Sequence, residues 1–329
     1  MEEFLTGLVV KVQSGFFWVE VAEGTVYMCR LRGKLMEEAQ SSAIAAIGDR
    51  VKISVLENDE SGDKGVLEEV EERQSALSRA VRTEGNRGGG EAEREQVIIA
   101  NADAIFFVFS IAQPTPDLSM LDRFLVAGER SEIEELVIII NKIDMVEDLE
   151  NAKKIIAPYE KMGYTILYTS AKRGDGVETL CEMLKGKISA FTGISGVGKT
   201  SLLNRIEPNL GRKVKQVSRS REEGQHTTRD SALIKLDVAK FGADTYLADT
   251  PGIRSLPIWD IEPEELDAYF LDIAQYVEKC RFGNCSHVNE PKCAVQAALK
   301  TGEISRTRYK NYRLLRDELE ATLVALYGV

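Results

Sequence analysis

The sequence has no long apolar run, few cysteines, only two histidines and less positive than negative charge, and each shortage removes a class of protein. Its apolar stretches, such as Ala104 to Phe109 and Leu136 to Ile140, fall far short of the roughly 20 residues that a bilayer-crossing helix needs, so a soluble protein with no membrane partner is expected. The start Met1-Glu2-Glu3-Phe4-Leu5 lacks the basic, apolar and small-residue regions of a signal peptide and is not rich in Arg and Ser like a transit peptide. A cytoplasmic location is expected, with a mature organellar form as the alternative. Five cysteines in 329 residues do not make the disulfide scaffold of a secreted mini-protein. Three of them cluster with a histidine, which points to a metal in a reducing compartment. The net charge of -11 excludes a protein that coats nucleic acid uniformly, because phosphate binding needs concentrated positive charge.

What is present is ample core material, 43% hydrophobic residues, in a chain longer than one core usually organises, so two or three domains are expected. The charge is also unevenly spread. Acidic residues crowd Glu57 to Glu72 and Glu129 to Glu150, whereas Arg205, Arg212, Lys213, Lys215, Arg219 and Arg221 face Glu207 alone. A second basic stretch carries Lys300, Arg306, Arg308, Lys310, Arg313 and Arg316 against Glu303. Either stretch suits local docking on RNA, and either suits a solvated face.

Residues 1–72 hold short β-prone runs (Leu8 to Val12, Phe16 to Val21, Val26 to Leu31, Val51 to Leu56) separated by turn formers such as Gly15, Gly24, Gly48-Asp49 and Ser61-Gly62-Asp63. A five-stranded OB-fold fits this size, and an SH3-like barrel fits the same periodicity. Residues 73–96 turn polar around Gly88-Gly89-Gly90 and read as a flexible linker. Residues 97–261 alternate apolar strands (Ala104 to Phe109, Leu136 to Ile140, Thr165 to Tyr168) with helices near Leu118 to Glu129, Leu149 to Met162 and Val177 to Leu184. That alternation predicts a parallel sheet covered on both faces. Residues 262–329 read as a small, mostly helical domain interrupted by a Cys/His cluster.

Gly193-Ile194-Ser195-Gly196-Val197-Gly198-Lys199-Thr200 matches G-x-x-x-x-G-K-[ST] between a strand-like run and a helix start, with Ser201 next on the helix. The glycines let successive N–H groups point at phosphates, and the helix N-terminus adds its positive end. Lys199 is expected on the β- and γ-phosphates and Thr200 on Mg²⁺. Asp249-Thr250-Pro251-Gly252 follows the strand-like Tyr246 to Ala248, which suits Asp249 to the Mg²⁺ shell and the Gly252 amide to the γ-phosphate. Asn141-Lys142-Ile143-Asp144 closes another apolar run. Its carboxylate can accept from guanine N1–H and N2–H₂, donors that adenine lacks on that edge, so GTP is expected over ATP. Ser170-Ala171-Lys172 adds a loop whose backbone can meet guanine O6.

The base-recognition elements thus precede the phosphate loop, the reverse of ordinary GTPases. Circular permutation preserves such a site while moving the chain ends, and it leaves the C-terminal domain directly after the nucleotide-sensing segment. Between Lys199 and Asp249 lies a polar stretch with His226-Thr227-Thr228-Arg229, in which Thr227 or Thr228 can complete the Mg²⁺ shell. Ras-type enzymes place a water-orienting Gln after D-x-x-G, but this chain has Ile253, which cannot orient water. His226 is the candidate replacement, and a solvated loop histidine is the plain alternative. Cys280, Cys285, His287 and Cys293 form C-x₄-C-x-H-x₅-C, a closed set of three thiolates and an imidazole suited to one structural Zn²⁺.

In this permuted order, with a barrel before and a Cys/His cluster after, the motifs resemble the ribosome small subunit-dependent GTPase A family over nearly the whole chain. The resemblance implies three domains: an OB-fold, a permuted α/β P-loop GTPase and a zinc domain. It implies a monomer that binds the small ribosomal subunit and its rRNA late in maturation, and it supports His226 in place of the missing Gln. It further implies that the subunit stimulates hydrolysis of GTP to GDP and phosphate. The alternative is an RNA-binding assembly chaperone gated by GTP without significant turnover. An ATPase conflicts with Asp144.

Overall fold

The structure, a computed structural model, describes residues 4–33, 44–56, 63–83, 92–211, 231–249, 258 and 261–327. The alternating residues of the N-terminal runs form β1 (Phe4–Gln13), β2 (Phe16–Val21), β3 (Val26–Leu31), β4 (Arg50–Val55) and β5 (Lys64–Val70). The strands pair in the closed order β1-β2-β3-β5-β4-β1, with β3 and β5 parallel and the other pairs antiparallel. This is the five-stranded barrel that the spacing anticipates. Val9, Phe17, Val19, Cys29, Val51, Ile53 and Leu67 fill its interior from alternate positions, as the two-residue side-chain period requires.

The described part of residues 73–96 is not the flexible linker expected from their composition. Ala76–Thr83 (β6) and Ala92–Ala100 (β7) pair antiparallel from Ala76↔Ala100 to Thr83↔Ala92. The polar alternation is that of a strand ribbon: Arg79 on β6 donates to the Gln96 side chain on β7 at 2.9 and 3.0 Å, and Leu77 and Ile99 bury its root. Gly88 to Gly90 lie outside the described residues.

The central sheet runs β10 (Thr165–Tyr168), β9 (Glu135–Asn141), β8 (Ala104–Ser110), β11 (Ile188–Thr192), β13 (Tyr246–Asp249) and β12 (Ser231–Lys235). The first five of these are parallel and β12 is antiparallel to β13. All seven residues of β8 are buried, as a strand covered on both faces demands. Helices α1 (Leu118–Arg130), α4 (Val177–Leu184) and α5 (Lys199–Ile206) flank the sheet. The helix expected over Leu149 to Met162 is two short ones, α2 (Leu149–Lys153) and α3 (Ala157–Lys161). Pro158, in the first turn of α3, lacks the N–H that a continuous helix would need there. At the sheet edge β12 also pairs with β1 (Lys11↔Ala232, Val12↔Ser231), which joins barrel and central sheet into one 11-stranded sheet. Between α5 and the C-terminal region lies the short helix α6 (Val238–Phe241).

The C-terminal region comprises a 3₁₀ turn at Leu266–Tyr269 and helices α7 (Leu271–Val277), α8 (Ala294–Thr301) and α9 (Arg306–Tyr327). Phe270, Ile273, Val295, Tyr312 and Leu315 share one core with Val126 of α1, so this region packs onto the central domain. Its basic stretch is only partly a free face. Arg308 is buried between Asp122 and Asp272. Arg316 is buried against the Pro263 carbonyl, Glu264 and Glu320. Lys300, Arg306 and Lys310 remain exposed.

Candidate nucleotide site and metal centre

Because β8, β9, β10 and β11 are parallel, the loops that follow them leave the sheet on the same side, where open α/β sheets bind ligands. Asn141, at the end of β9, is 1% exposed. Its amide donates to the Val197 carbonyl at 2.9 Å, and its own carbonyl accepts from Thr169 Oγ1 and from the Ala171 amide, both at 3.2 Å. Asn141, expected among the guanine contacts, is therefore the cross-link that holds the phosphate loop and the Ser170-Ala171-Lys172 loop at a fixed distance. Lys142 takes a left-handed backbone conformation and its ammonium donates to the Gln113 carbonyl.

Asp144 follows in a one-turn 3₁₀ helix, Ile143–Met145, and Ser170 Oγ donates to its Oδ1 at 2.6 Å. That hydrogen bond holds the Asp144 carboxyl below the usual range against a smaller burial effect, with help from the nearby Lys172 and Arg173 charges. The carboxylate is ionised at neutral pH and can only accept. Ser170 is itself oriented by the Arg173 amide, which donates to its Oγ at 3.0 Å.

The phosphate loop needs its glycines for space as well as for conformation. Gly193 has φ 145°, and a Cβ there would sit 2.1 Å from the Val108 carbonyl oxygen; Gly198 has φ 96°, and a Cβ would sit 2.4 Å from Asn141 Nδ2. No side chain fits at either position. Between them Val197 is buried and pins the loop to the core. Lys199 folds over the loop, donating to the Gly193 carbonyl and, at 2.8 Å, to that of Ile194. Thr200 and Ser201 are exposed in the first turn of α5. Strand β13 lies beside β11, Ala248 opposite Ala190, and ends at Asp249 next to the phosphate loop. His226, Thr227, Thr228, Thr250, Gly252 and Ile253 lie outside the described residues.

The ligand atoms of Cys280, Cys285, His287 and Cys293 all lie within 4.8 Å of one another. His287 Nδ1 is 3.6 Å from Cys280 Sγ and 3.5 Å from Cys293 Sγ, and those two sulfurs are 3.9 Å apart. A tetrahedral zinc with bonds of about 2.3 Å to sulfur and 2.0 Å to nitrogen has edges of roughly 3.5 to 3.8 Å, so the donor set fits that ion. The other imidazole nitrogen, Nε2, is 2.9 Å from Asp267 Oδ2, an outer carboxylate that fixes the ring with Nδ1 toward the thiols. Backbone amides of Ala294 and Gln296 donate to Cys280 Sγ and Cys293 Sγ, both at 3.4 Å. Glu290 ties the loop together by accepting from the Ser286 amide and hydroxyl (2.7 and 2.5 Å) and from the Val288 amide (2.9 Å). Partial burial opposes its ionisation, but these hydrogen bonds hold the carboxyl at about 2. Nothing in the sequence marks Asp267 or Glu290 as supports, since neither stands in a ligand spacing.

The fold and the ordered motifs define a P-loop GTPase with circularly permuted elements, a barrel before it and a Cys₃His cluster after it. Residues 70–259 match the family model described as RsgA GTPase, and residues 6–62 match that of the RsgA N-terminal domain. The chain belongs to the RsgA GTPase family, and it is a GTP-hydrolysing enzyme. Relatives named small ribosomal subunit biogenesis GTPase RsgA come from Alkaliphilus metalliredigens and Thermotoga maritima. The first is 37% identical over 314 residues, 95% of this chain and 97% of the relative. The second is 40% identical over 316 residues, 95% and 96% of the two chains. Among solved structures, YjeQ from Thermotoga maritima has a TM-score of 0.73 at 37% identity, covering 96% of this chain and 99% of its own. YloQ, described as a circularly permuted GTPase, has a TM-score of 0.70 at 30% identity over 97% and 96% of the two chains. No described helix is long and apolar enough to cross a membrane.

Proposed function

We propose that this GTPase acts in biogenesis of the small ribosomal subunit. In this reading it binds that particle and its rRNA as a cytoplasmic monomer, and contact with the particle accelerates its hydrolysis of GTP to GDP and phosphate. The observation that carries the reading is the Asn141 cross-link, which holds a guanine-type carboxylate and a phosphate loop in one site. The relatives' names, over almost the full chain, supply the particle. Residues 1–72 serve as the barrel domain, 97–261 as the GTPase domain and 262–329 as the zinc-binding domain.

Within the site each group has one task. Asp144 accepts from guanine, with Lys142, Ser170, Ala171 and Lys172 shaping the base pocket. The amides of Gly193 to Ser201 hold the phosphates, and Lys199 exchanges its loop carbonyls for β- and γ-phosphate oxygens. Thr200, Asp249 and Thr227 or Thr228 hold Mg²⁺, which neutralises charge on the phosphate oxygens when bound. The Gly252 amide meets the γ-phosphate, and His226 positions the attacking water. Zn²⁺ at Cys280, Cys285, His287 and Cys293 is structural, since the donor set leaves no open position.

Co-sedimentation with purified ribosomal subunits in a non-hydrolysable GTP analogue tests the partner. Pelleting with small but not large subunits is expected, and equal partition between the two would sink the assignment. His226→Ala is expected to slow stimulated turnover by about tenfold or more while GTP affinity stays near that of the parent. Unchanged turnover would remove His226 from the mechanism.

A further inference from the structure

A buried ionic network outside both sites joins the GTPase domain to the metal-bearing domain. Asp122 of α1, 1% exposed, accepts from Tyr159 Oη at 2.7 Å, from Arg308 Nη1 at 2.5 Å and from Asn311 Nδ2 at 2.6 Å. Arg308, 2% exposed, also grips Asp272 at 2.6 and 3.3 Å and lies over the rings of Tyr159 and Phe270. Arg308, Asn311 and Asp272 belong to the C-terminal helices, whereas Asp122 and Tyr159 belong to the GTPase domain. A buried carboxylate stripped of such partners is strongly destabilised, so α1 cannot slide or rotate while the network stands.

The N-terminal end of α1, in whose second turn Asp122 lies, leads back to the nucleotide site. Asp117 caps the helix, accepting from the Ser119 and Met120 amides at 3.0 and 3.2 Å. Residues 110–117, between β8 and that cap, buttress the site. The Ile111 amide donates to the Asn141 carbonyl at 2.9 Å, Ser110 Oγ to the Pro114 carbonyl at 2.7 Å, and Lys142 to the Gln113 carbonyl. A methyl group on Gly196 would touch Pro114 at 3.7 Å. From Gln113 to Asp122 there are thus a short loop, the Asp117 cap and about one and a half turns of helix, held at Lys142 on one side and at Arg308 and Asn311 on the other.

We infer that Arg308 and Asn311, acting through Asp122, are positioning residues for the nucleotide site: docking of the metal-bearing domain sets α1 and, with it, the segment that braces Lys142 and the phosphate loop. The inference rests on the reading that this loop and Asp144 bind GTP. By linkage, nucleotide binding must in turn tighten the docking.

The test measures affinity for GDP and for a non-hydrolysable GTP analogue by calorimetry, far below the melting temperature, in the full-length zinc-loaded protein. Arg308→Met and Asn311→Ala are compared with the parent and with Lys310→Ala, an exposed position on the same helix α9. Affinity is expected to fall about three- to tenfold in the first two, with KM moving more than kcat, and to stay unchanged in Lys310→Ala. A purely structural role would lower the melting temperature without moving the affinity. Affinities within twofold of the parent in folded, zinc-loaded variants would overturn the inference, and Asn311→Ala decides if Arg308→Met does not fold. A parent that binds neither nucleotide would instead overturn the reading of the site itself.

Discussion

Replacing Asp144 by Asn is expected to weaken GTP binding by about a hundred- to a thousand-fold and to let the site accept xanthosine triphosphate. In the proposed site the carboxylate meets the base from the one-turn Ile143–Met145 helix, where Ser170 donates to it and that bond, with the nearby Lys172 and Arg173 charges, keeps it ionised. Two charge-assisted hydrogen bonds to guanine N1–H and N2–H₂ are each worth about 1.5–3 kcal/mol, and their loss leaves the base edge unmatched. An Asn side chain donates where Asp accepted, so it clashes with the guanine 2-amino group and pairs with the 2-oxo group of xanthine. Shape is preserved, so Ser170 can still bond to the remaining amide oxygen. Competition among GTP, ATP and XTP reads the outcome directly. GTP affinity equal to that of the parent would remove Asp144 from base recognition.

Removal of the metal is expected to collapse the C-terminal region before anything else melts. The donor set lies in a segment tied together by Glu290 and Asp267, and structural zinc contributes about 10–16 kcal/mol of apparent binding free energy in zinc-finger peptides. The damage spreads, because the same core contains Val126 of α1 and the same helices hold Asp122. Chelation, or Cys293→Ser, should thus add an early calorimetric transition and lower the main one. One zinc per chain in the untreated protein is expected, and an unchanged melting profile after its removal would contradict a structural role.

Where the sequence was legible, one physical cause acted alone. Strand β8 is uniformly apolar because both of its faces are covered, and the phosphate loop is spelled by glycines that no other residue can replace at Gly193 and Gly198. Strands β5 and β12 are harder to place from sequence because each is short and mixed in polarity, burying only Gly65 and Leu67 in β5 and only Leu233 in β12. The β6–β7 ribbon was misread because polarity alone does not separate a solvated strand pair from a linker. Arg308 looked like surface charge for a related reason. Its burial depends on Asp122, 186 positions away, and no local pattern carries that pairing. Asn141 shows the same limit within a motif, since its spacing is legible but its task as a cross-link needs Val197 and Ala171 in space.

The measurement that bears most directly on the account is GTP turnover with and without purified small ribosomal subunits, run beside Lys199→Ala. Slow basal hydrolysis, strong stimulation by the subunits, and loss of both in Lys199→Ala are expected, because the missing ammonium leaves the phosphate charge uncompensated. GTP binding with no stimulation would contradict it, and would favour a GTP-gated assembly chaperone without significant turnover.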